Sequence, residues 1–222
     1  MNHRRPSRIA RSQQGFTLLE ITLILAVIAI LGFVLAPSLL NFLNQSRQAR
    51  AQNDVEVIAE AVHEFFIDNG FFPQFADAGR TQRIRLLVSP GAVGEAGAGA
   101  TGWTITDPSA IDLIANQLVN NRPSYGGIGY PLRTTSSGSG WNGPYLSDAL
   151  QSDPWGNRYV INVEFLSVMP GPIEIDGVQE KRAVWAMSAG PDGVFDTLYP
   201  DTTQQVLSFA AASPADIAKR IQ

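Results

Sequence analysis

The stretch Gly15-Phe16-Thr17-Leu18-Leu19-Glu20, together with the apolar run that continues it to residue 36, decides the fold of this chain. Glu20 is the one ionisable residue in that run. About 20 apolar residues are enough for a helix to cross roughly 30 Å of hydrocarbon. A carboxylate inside such a span is costly and marks a functional position by default. The pattern therefore predicts a membrane-type helix in which Glu20 has a specific partner.

The segment before this run is basic. Residues 1–15 contain four arginines and no acidic residue, and positive charge before an apolar segment keeps that end of a chain in the cytoplasm. A secretory signal peptide is one ordinary interpretation, and an uncleaved anchor is another. The length of the run and the position of Pro37 disfavour the first. The second leaves Glu20 unexplained, because an unpaired buried carboxylate is destabilising.

The composition limits the functions that the body can have. Charged residues make up 16% of the chain, and there is no cysteine. Disulfides, thiol catalysis and cysteine-ligated zinc are therefore excluded. The formal net charge is −4, and the chain after the basic segment is more acidic still. An acidic body disfavours a nucleic-acid partner and suits a cation or a basic protein surface.

The residues from Gly15 to Glu20, the apolar run and Pro37 together resemble the N-terminus of type IV pilins and type II secretion pseudopilins. The resemblance implies that a prepilin peptidase cuts after Gly15 and methylates Phe16. It also implies that Glu20 meets the positive N-terminus of a neighbouring Phe16 in a filament. Pairing two desolvated charges would favour the correct register over wrong ones. In such filaments the segment around Pro37 can unwind.

The helix is predicted to run from about residue 16 to about residue 69. Its second half carries an apolar stripe at helical spacing: Val55, Ile58, Ala59, Val62, Phe65 and Phe66. Asp68-Asn69-Gly70 and Pro73 supply a stop. Pro37 predicts a kink or local melting, because it removes a backbone hydrogen bond. His63 is interpreted as an ordinary helix residue, and His3 lies in the leader.

The rest of the chain predicts an α+β head. Residues 81–88 fit a short helix or a strand, and residues 89–102 a flexible Gly/Ala-rich loop. Asp107-Pro108 predicts the start of a second helix that ends at Asn120-Asn121. Residues 158–168 and 183–187 read as strands of an antiparallel sheet, with Asp176-Gly177 as a hairpin turn between them. Tyr125, Tyr130 and Trp141 either form a binding surface or attach their loop to the head.

Three motifs in the second half sharpen the resemblance: Gly143-Pro144-Tyr145-Leu146, Asp153-Pro154-Trp155-Gly156-Asn157, and Ser188-Ala189-Gly190-Pro191-Asp192-Gly193. They resemble the major pseudopilins of type II secretion. The resemblance implies a leader at 1–15, a filament-core helix at 16–43 and a periplasmic head at 44–222. It also implies a homopolymer that works with minor pseudopilins and an inner-membrane platform. Residues 89–140, part of 170–181 and the tail at 206–222 are additions to the usual pattern.

The same resemblance implies a calcium loop. Its ligands would be Asp192 and the backbone carbonyls of Ala189 and Thr197, completed by an acidic pair. This chain departs from the pattern, with Tyr199-Pro200 in place of that pair, so Asp196 and Asp201 are the acids available. Carboxylates and carbonyls on a tight loop are what Ca²⁺ prefers. The alternative is a polar turn whose aspartates cap backbone amides.

No hydrolase pattern or phosphate loop is present, so a structural role is expected rather than an enzyme. Two rival interpretations stay open. One is a type IV pilus subunit for adhesion, motility or DNA uptake. The other is a binding protein or enzyme that uses the helix only as a tether.

Overall fold

The structure is a computed structural model that describes residues 15–97, 99–123, 128–147, 150–166, 173–175, 178–180, 183–199 and 216–222. The chain divides into two compact units between Gln45 and Ser46. In the described ranges the helices are α1 (Leu18–Asn69) and α2 (Ile114–Leu118). The strands are β1 (Leu86–Val88), β2 (Glu95–Ala96), β3 (Ile111–Leu113), β4 (Val160–Ile161), β5 (Ile173–Ile175), β6 (Val178–Glu180), β7 (Trp185–Ser188), β8 (Val194–Phe195) and β9 (Ile217–Arg220).

Helix α1 is the predicted long helix, and its C-terminal part buries the predicted stripe. The buried residues include Ala51, Val55, Ile58, Ala59, Ala61, Val62 and Phe65. Helix α1 ends at the predicted place, where Gly70 adopts φ +74° and donates its amide to the Phe66 carbonyl at 2.8 Å. Glycine reaches this left-handed conformation without a Cβ penalty. The helix is continuous through Pro37, so the local melting expected there does not occur in the single chain.

The central sheet has the strand order β3-β1-β4-β7-β9. Its neighbouring strands are antiparallel except β1 and β3, which are parallel, with Leu87 opposite Asp112. The α+β class is confirmed, but the sheet is mixed rather than wholly antiparallel. The reason is that residues 89–110 leave β1 and return, so that β3 runs beside β1 in the same direction.

The sheet is covered on both faces, because side chains alternate along each strand. One face contacts the stripe of α1, and its residues include Leu87, Ile161 and Ala186. Their neighbours point to a second core, which contains Leu86, Val160, Met187, Trp103 and Phe195. Trp103 lies in the insertion at 89–140. Trp103, within the predicted insertion, therefore helps to cover the face that α1 does not reach.

The predicted second helix is wrong in extent. The Asp107 carboxylate accepts bonds from the amide and hydroxyl of Ser109, at 2.9 and 2.8 Å, and so caps a turn instead of a helix. Residues 111–113 then form β3, and α2 begins only at Ile114. Pairing with β1 satisfies the backbone of these residues, and this tertiary bonding overrides their local helical pattern.

The Gly/Ala-rich segment at 89–102 is also more ordered than predicted. Within it β2 pairs in parallel with β8, placing Glu95 opposite Val194 and Ala96 opposite Phe195. A short 3-10 helix at Thr101–Thr104 follows and inserts Trp103 into the second core. Composition alone does not reveal this order, because the pairing partner lies about a hundred residues away.

The predicted strands of the second half are only partly formed. Within the described residues 158–166, only β4 is a strand, and a 3-10 helix at Val163–Phe165 follows it; residues 167 and 168 lie outside the described residues. The prediction for 183–187 is confirmed by β7. Strands β5 and β6 pair on either side of the predicted turn, but Asp176-Gly177 itself lies outside the described residues.

The end of the chain adds an edge strand that the sequence did not reveal. Strand β9 pairs with β7 over four positions. Ile217 and Ile221 join the core under α1, and the Lys219 ammonium donates to the Glu56 carboxylate at 2.6 Å. The tail at 206–222 thus ends as part of the sheet.

Candidate functional site

The N-terminal stretch is exposed and its helix is capped. Among the described residues other than its chain neighbours, none has an atom within 4 Å of the position that a Cβ on Gly15 would take, and Phe16 is 73% exposed. The Thr17 hydroxyl accepts the amide of Glu20 at 3.2 Å, as an N-cap residue does. The sequence Thr17-Leu18-Leu19-Glu20 also has the capping-box spacing, a signal that the sequence reasoning missed. Residues 1–14 lie outside the described residues, so the cut after Gly15 stays a prediction.

The apolar segment that follows presents its side chains to the surroundings on every side. Each residue from 16 to 45 is exposed in the single chain. Helix α1 contains a window long and apolar enough to cross a membrane, with a mean hydropathy of 2.8. A helix that is apolar all round requires lipid or other helices around it. Glu20 is the one ionisable residue in residues 16–36, and its pairing with Phe16 of another copy stays a prediction.

Two motifs that are far apart in sequence are bonded to each other. The buried Asp153 carboxylate accepts the amides of Trp155 and Asn157, at 3.0 and 2.8 Å, and so closes the turn at 153–157. Its other oxygen accepts the Ser188 hydroxyl at 2.6 Å. Ser188 in turn accepts the amide of Gly190 at 3.0 Å. One carboxylate therefore sets the conformation of its own turn and the start of the loop after β7.

The predicted metal ligands that the structure describes lie on this second loop, and two of them, Asp192 and Thr197, use their ligand oxygens for other bonds. Asp192 is exposed, and its carboxylate accepts the amide of Val194 at 3.1 Å. The Thr197 carbonyl accepts the indole N–H of buried Trp103 at 2.8 Å. Ala189 is buried in the second core, and Asp201 lies outside the described residues.

Asp216, which the sequence reasoning did not single out, contacts the same loop from the start of β9. Its Oδ2 accepts the amides of Asp196 and Thr197 at 2.9 and 2.7 Å, and the Thr197 hydroxyl at 2.7 Å. Burial raises the pKa of the Asp216 carboxyl, although these hydrogen bonds oppose the shift, and the nearby Asp196 carboxylate raises it further. The bonds span about 20 residues of sequence, so no local motif could have indicated them.

In the part of the chain that the structure describes, no three acidic or histidine side chains come together to hold a metal ion. The donors around Asp216 are N–H and O–H groups, whereas Ca²⁺ needs oxygens turned toward one point. These described groups do not fit a calcium centre. Because Asp201 lies outside the described residues, the calcium site of the sequence analysis stays a prediction.

The remaining candidates serve the fold. Tyr130 is buried and donates its hydroxyl to the Gln117 side chain at 2.6 Å, and burial raises its pKa. It therefore attaches its loop to the head, while Tyr125 lies outside the described residues. Trp141 packs at the edge of the core under α1. His63 is exposed on α1, as expected of an ordinary helix residue.

No family model matches this chain, and no solved structure does. Curated relatives do match. The type II secretion system core protein G of Escherichia coli (strain K12) is 26% identical over 190 residues, covering 86% of this chain and 90% of that protein. The core protein G of Pseudomonas aeruginosa is 32% identical over 63 residues, covering 28% of this chain and 44% of the relative. The type IV major pilin protein PilA of Myxococcus xanthus is 30% identical over 73 residues, which are 33% of each chain.

These similarities support a pilin-like chain of the major-pseudopilin type. One of them extends over most of both chains. The Pseudomonas and Myxococcus matches cover less than half of those relatives.

Proposed function

We propose that this chain is a structural subunit of a type II secretion pseudopilus, polymerised through the N-terminal part of α1 to drive protein export across the outer membrane. The supporting observation is a fully exposed apolar helix whose only ionisable group, within residues 16–36, is Glu20. The similarity to type II secretion core protein G along most of the chain supports the secretion branch. Pilin and pseudopilin relatives also imply that copies of the chain assemble with one another.

The proposed assembly step depends on a processed N-terminus. A prepilin peptidase cuts after Gly15 and methylates the amine of Phe16. In the filament, Glu20 of one copy pairs with that amine in the next copy, where lipid and neighbouring helices exclude water. Breaking a desolvated ion pair by removing one partner typically costs about 3–5 kcal/mol, which is enough to reject a wrong register.

The proposed setting is the bacterial inner membrane, with the N-terminus cytoplasmic before processing and the head in the periplasm. The basic residues at 1–15 and the membrane-length apolar segment support this orientation. Minor pseudopilins and the inner-membrane secretion platform are the proposed partners, and membrane lipid surrounds the subunit before assembly. The chain has no catalytic role in this proposal.

A type IV pilus subunit is the second candidate, and the similarity to PilA over 73 residues favours it. That similarity covers a third of each chain, whereas the core protein G match covers 86% of this one. The two candidates predict different complementation results. If the chain restores secretion in a strain that lacks its core protein G, and does not restore pilus-dependent motility, the first candidate is supported over the second.

The test of assembly is Glu20→Gln in the full chain, expressed with its prepilin peptidase and secretion machinery. The Thr17 hydroxyl bonds the backbone of residue 20, so the substitution keeps the helix cap and removes only the charge. We expect normal processing and a yield of sheared filaments reduced by more than about tenfold, which corresponds to about 1.4 kcal/mol. Glu64→Gln, on an exposed part of the same helix, is the matched control and should assemble normally. Normal filament yield from Glu20→Gln would show that this charge does not direct assembly.

The test of processing is Gly15→Leu, read by intact mass of the membrane-extracted protein. No described residue beyond its chain neighbours crowds Gly15, so the substitution should not disturb the described fold. We expect the leader to remain attached. A fully processed product would place the cut elsewhere.

A further inference from the structure

The loop after β7 is held by a carboxylate from the C-terminal strand. Two amides and one hydroxyl, from Asp196 and Thr197, converge on Oδ2 of Asp216 within 2.7–2.9 Å. Three donors on one carboxylate oxygen form a charge-assisted cluster, which is stronger than neutral hydrogen bonds. The cluster joins the loop to β9, and β9 itself is bonded along β7.

The polarity of this arrangement is the opposite of a cation site. A calcium loop turns carbonyl and carboxylate oxygens inward, whereas here N–H and O–H groups turn toward Asp216. The Thr197 carbonyl, an implied ligand, instead accepts the indole of Trp103 at 2.8 Å. Two protein groups, the Asp216 carboxylate just before β9 and the Trp103 indole, thus bond to the loop at Thr197.

We propose that Asp216 replaces calcium as the clamp of the loop at 193–199, so that the head folds and holds this loop without a divalent cation. In the usual pattern of the resembling family a cation is what ties such a loop together. This chain differs from that pattern in its loop acids, in its insertion and in its C-terminal tail. The clamp uses the last two of these differences, since Trp103 belongs to the insertion and Asp216 to the tail.

The rival assignment makes Asp216 itself a cation ligand. Its Oδ1 is buried and has no hydrogen-bond partner among the described residues. The two assignments differ in what an amide would do at this position. An asparagine oxygen accepts the same donors but is a poor substitute for a carboxylate on Ca²⁺.

The test is thermal unfolding of the full chain in detergent micelles, followed by tryptophan fluorescence, in 5 mM CaCl₂ and in 1 mM EDTA. We expect the wild-type Tm to agree within about 1 °C in the two conditions. Asp216→Ala leaves three donors unpaired and should lower the Tm by about 5–10 °C in both. Asp216→Asn should lose less than half as much, and neither variant should respond to calcium.

Thr197→Val removes one of the three donors without changing the side-chain shape. It should lower the Tm by a smaller amount than Asp216→Ala, and it remains informative if Asp216→Ala does not fold. The matched control is Thr104→Val. Thr104 is partly exposed and its hydroxyl donates to the Thr101 carbonyl within the same turn, so this substitution should leave the Tm unchanged.

Two outcomes overturn the proposal. The first is a wild-type Tm that rises by more than about 3 °C with calcium, lost in Asp216→Asn, which would make Asp216 a ligand. The second is an unchanged Tm in both Asp216→Ala and Thr197→Val, which would show that the contact does not hold the loop. Neither result depends on filament assembly, so this proposal and the pseudopilus role can fail separately.

Discussion

Replacing Asp153 by alanine should release two loops at once. The carboxylate accepts the amides of Trp155 and Asn157 and the hydroxyl of Ser188, at 3.0, 2.8 and 2.6 Å. Trp155 and Asn157 are partly exposed, so water can replace the carboxylate there, but Ser188 is fully buried. The buried Ser188 hydroxyl, left without its acceptor, costs about 1–3 kcal/mol, and the loss of each of the two amide bonds, where water can replace the carboxylate, adds about 1 kcal/mol net. We therefore expect Asp153→Ala to lower the free energy of unfolding by about 3–5 kcal/mol.

Ser188→Ala breaks the same link from the other side. It removes the donor to Asp153 and the acceptor of the Gly190 amide, and it should cost about 2 kcal/mol. Because the two variants remove one shared bond, the double variant should be less destabilised than the sum. The coupling energy should be about 1.5–3 kcal/mol, the range for a hydrogen bond to a charged group.

The assay is urea unfolding of the full chain in detergent micelles, followed by tryptophan fluorescence. The slope of the free energy of unfolding against urea concentration should be the same for the wild type, the two single variants and the double variant, so that the midpoints report stability alone. Asp107 and Ser109 form a matched control pair with the same chemistry on the surface, where the carboxylate accepts the serine hydroxyl at 2.8 Å. Asp107→Ala should change the midpoint little. A coupling energy below about 0.5 kcal/mol between Asp153 and Ser188 would refute the reasoning.

Two further predictions concern the insertion and the loop after α1. A Cβ on Gly102 would clash with the Tyr199 ring, so Gly102→Ala should lower the free energy of unfolding by about 2–3 kcal/mol in the same urea assay. The control is Gly138→Ala, where φ is +65° but nothing among the described residues lies within 4 Å of the new Cβ, and it should lower the free energy of unfolding by about 1 kcal/mol. Equal losses would contradict the predicted clash. Burial raises the pKa of Asp77, but the amides of Gln82 and Thr81 and the Thr81 hydroxyl outweigh it, and the net pKa is lowered. A lowered pKa gives stability above the unfolded value of 3.8 that is lost as the pH falls through the folded value. Asp77→Asn should therefore lose less Tm than the wild type between about pH 4 and pH 2, and parallel curves would show that Asp77 does not contribute.

The features that the sequence predicted well are those that depend on near neighbours. The stripe from Val55 to Phe65 and the glycine stop at Gly70 were read directly, because a helix is bonded within itself. The membrane-type character of the first half also follows from local composition. Strand β7 (Trp185–Ser188) overlaps the strand predicted at residues 183–187 from their β-branched and aromatic content.

The features that the sequence could not predict depend on bonds between distant segments. Residues 111–113 lie within the predicted second helix, but they pair with β1 as a parallel strand. Trp103 directly follows the segment whose composition predicts a flexible loop, yet it is buried in the second core. No spacing rule connects Asp216 with Thr197 or Asp153 with Ser188.

The sequence by itself determined that a long helix begins at the stretch from Gly15 to Glu20, that its first half is apolar on every side and that its second half needs a partner surface. Each of these properties follows from contacts within about four residues of chain. Only the tertiary structure decided that Trp103 packs on the far face of the sheet and that residues 217–220 return as β9. It also decided that carboxylates at positions 153 and 216 hold the loop after β7. Those outcomes depend on hydrogen bonds and packing between residues that are far apart in sequence and meet only when the core has formed. Local sequence patterns do not specify such pairs.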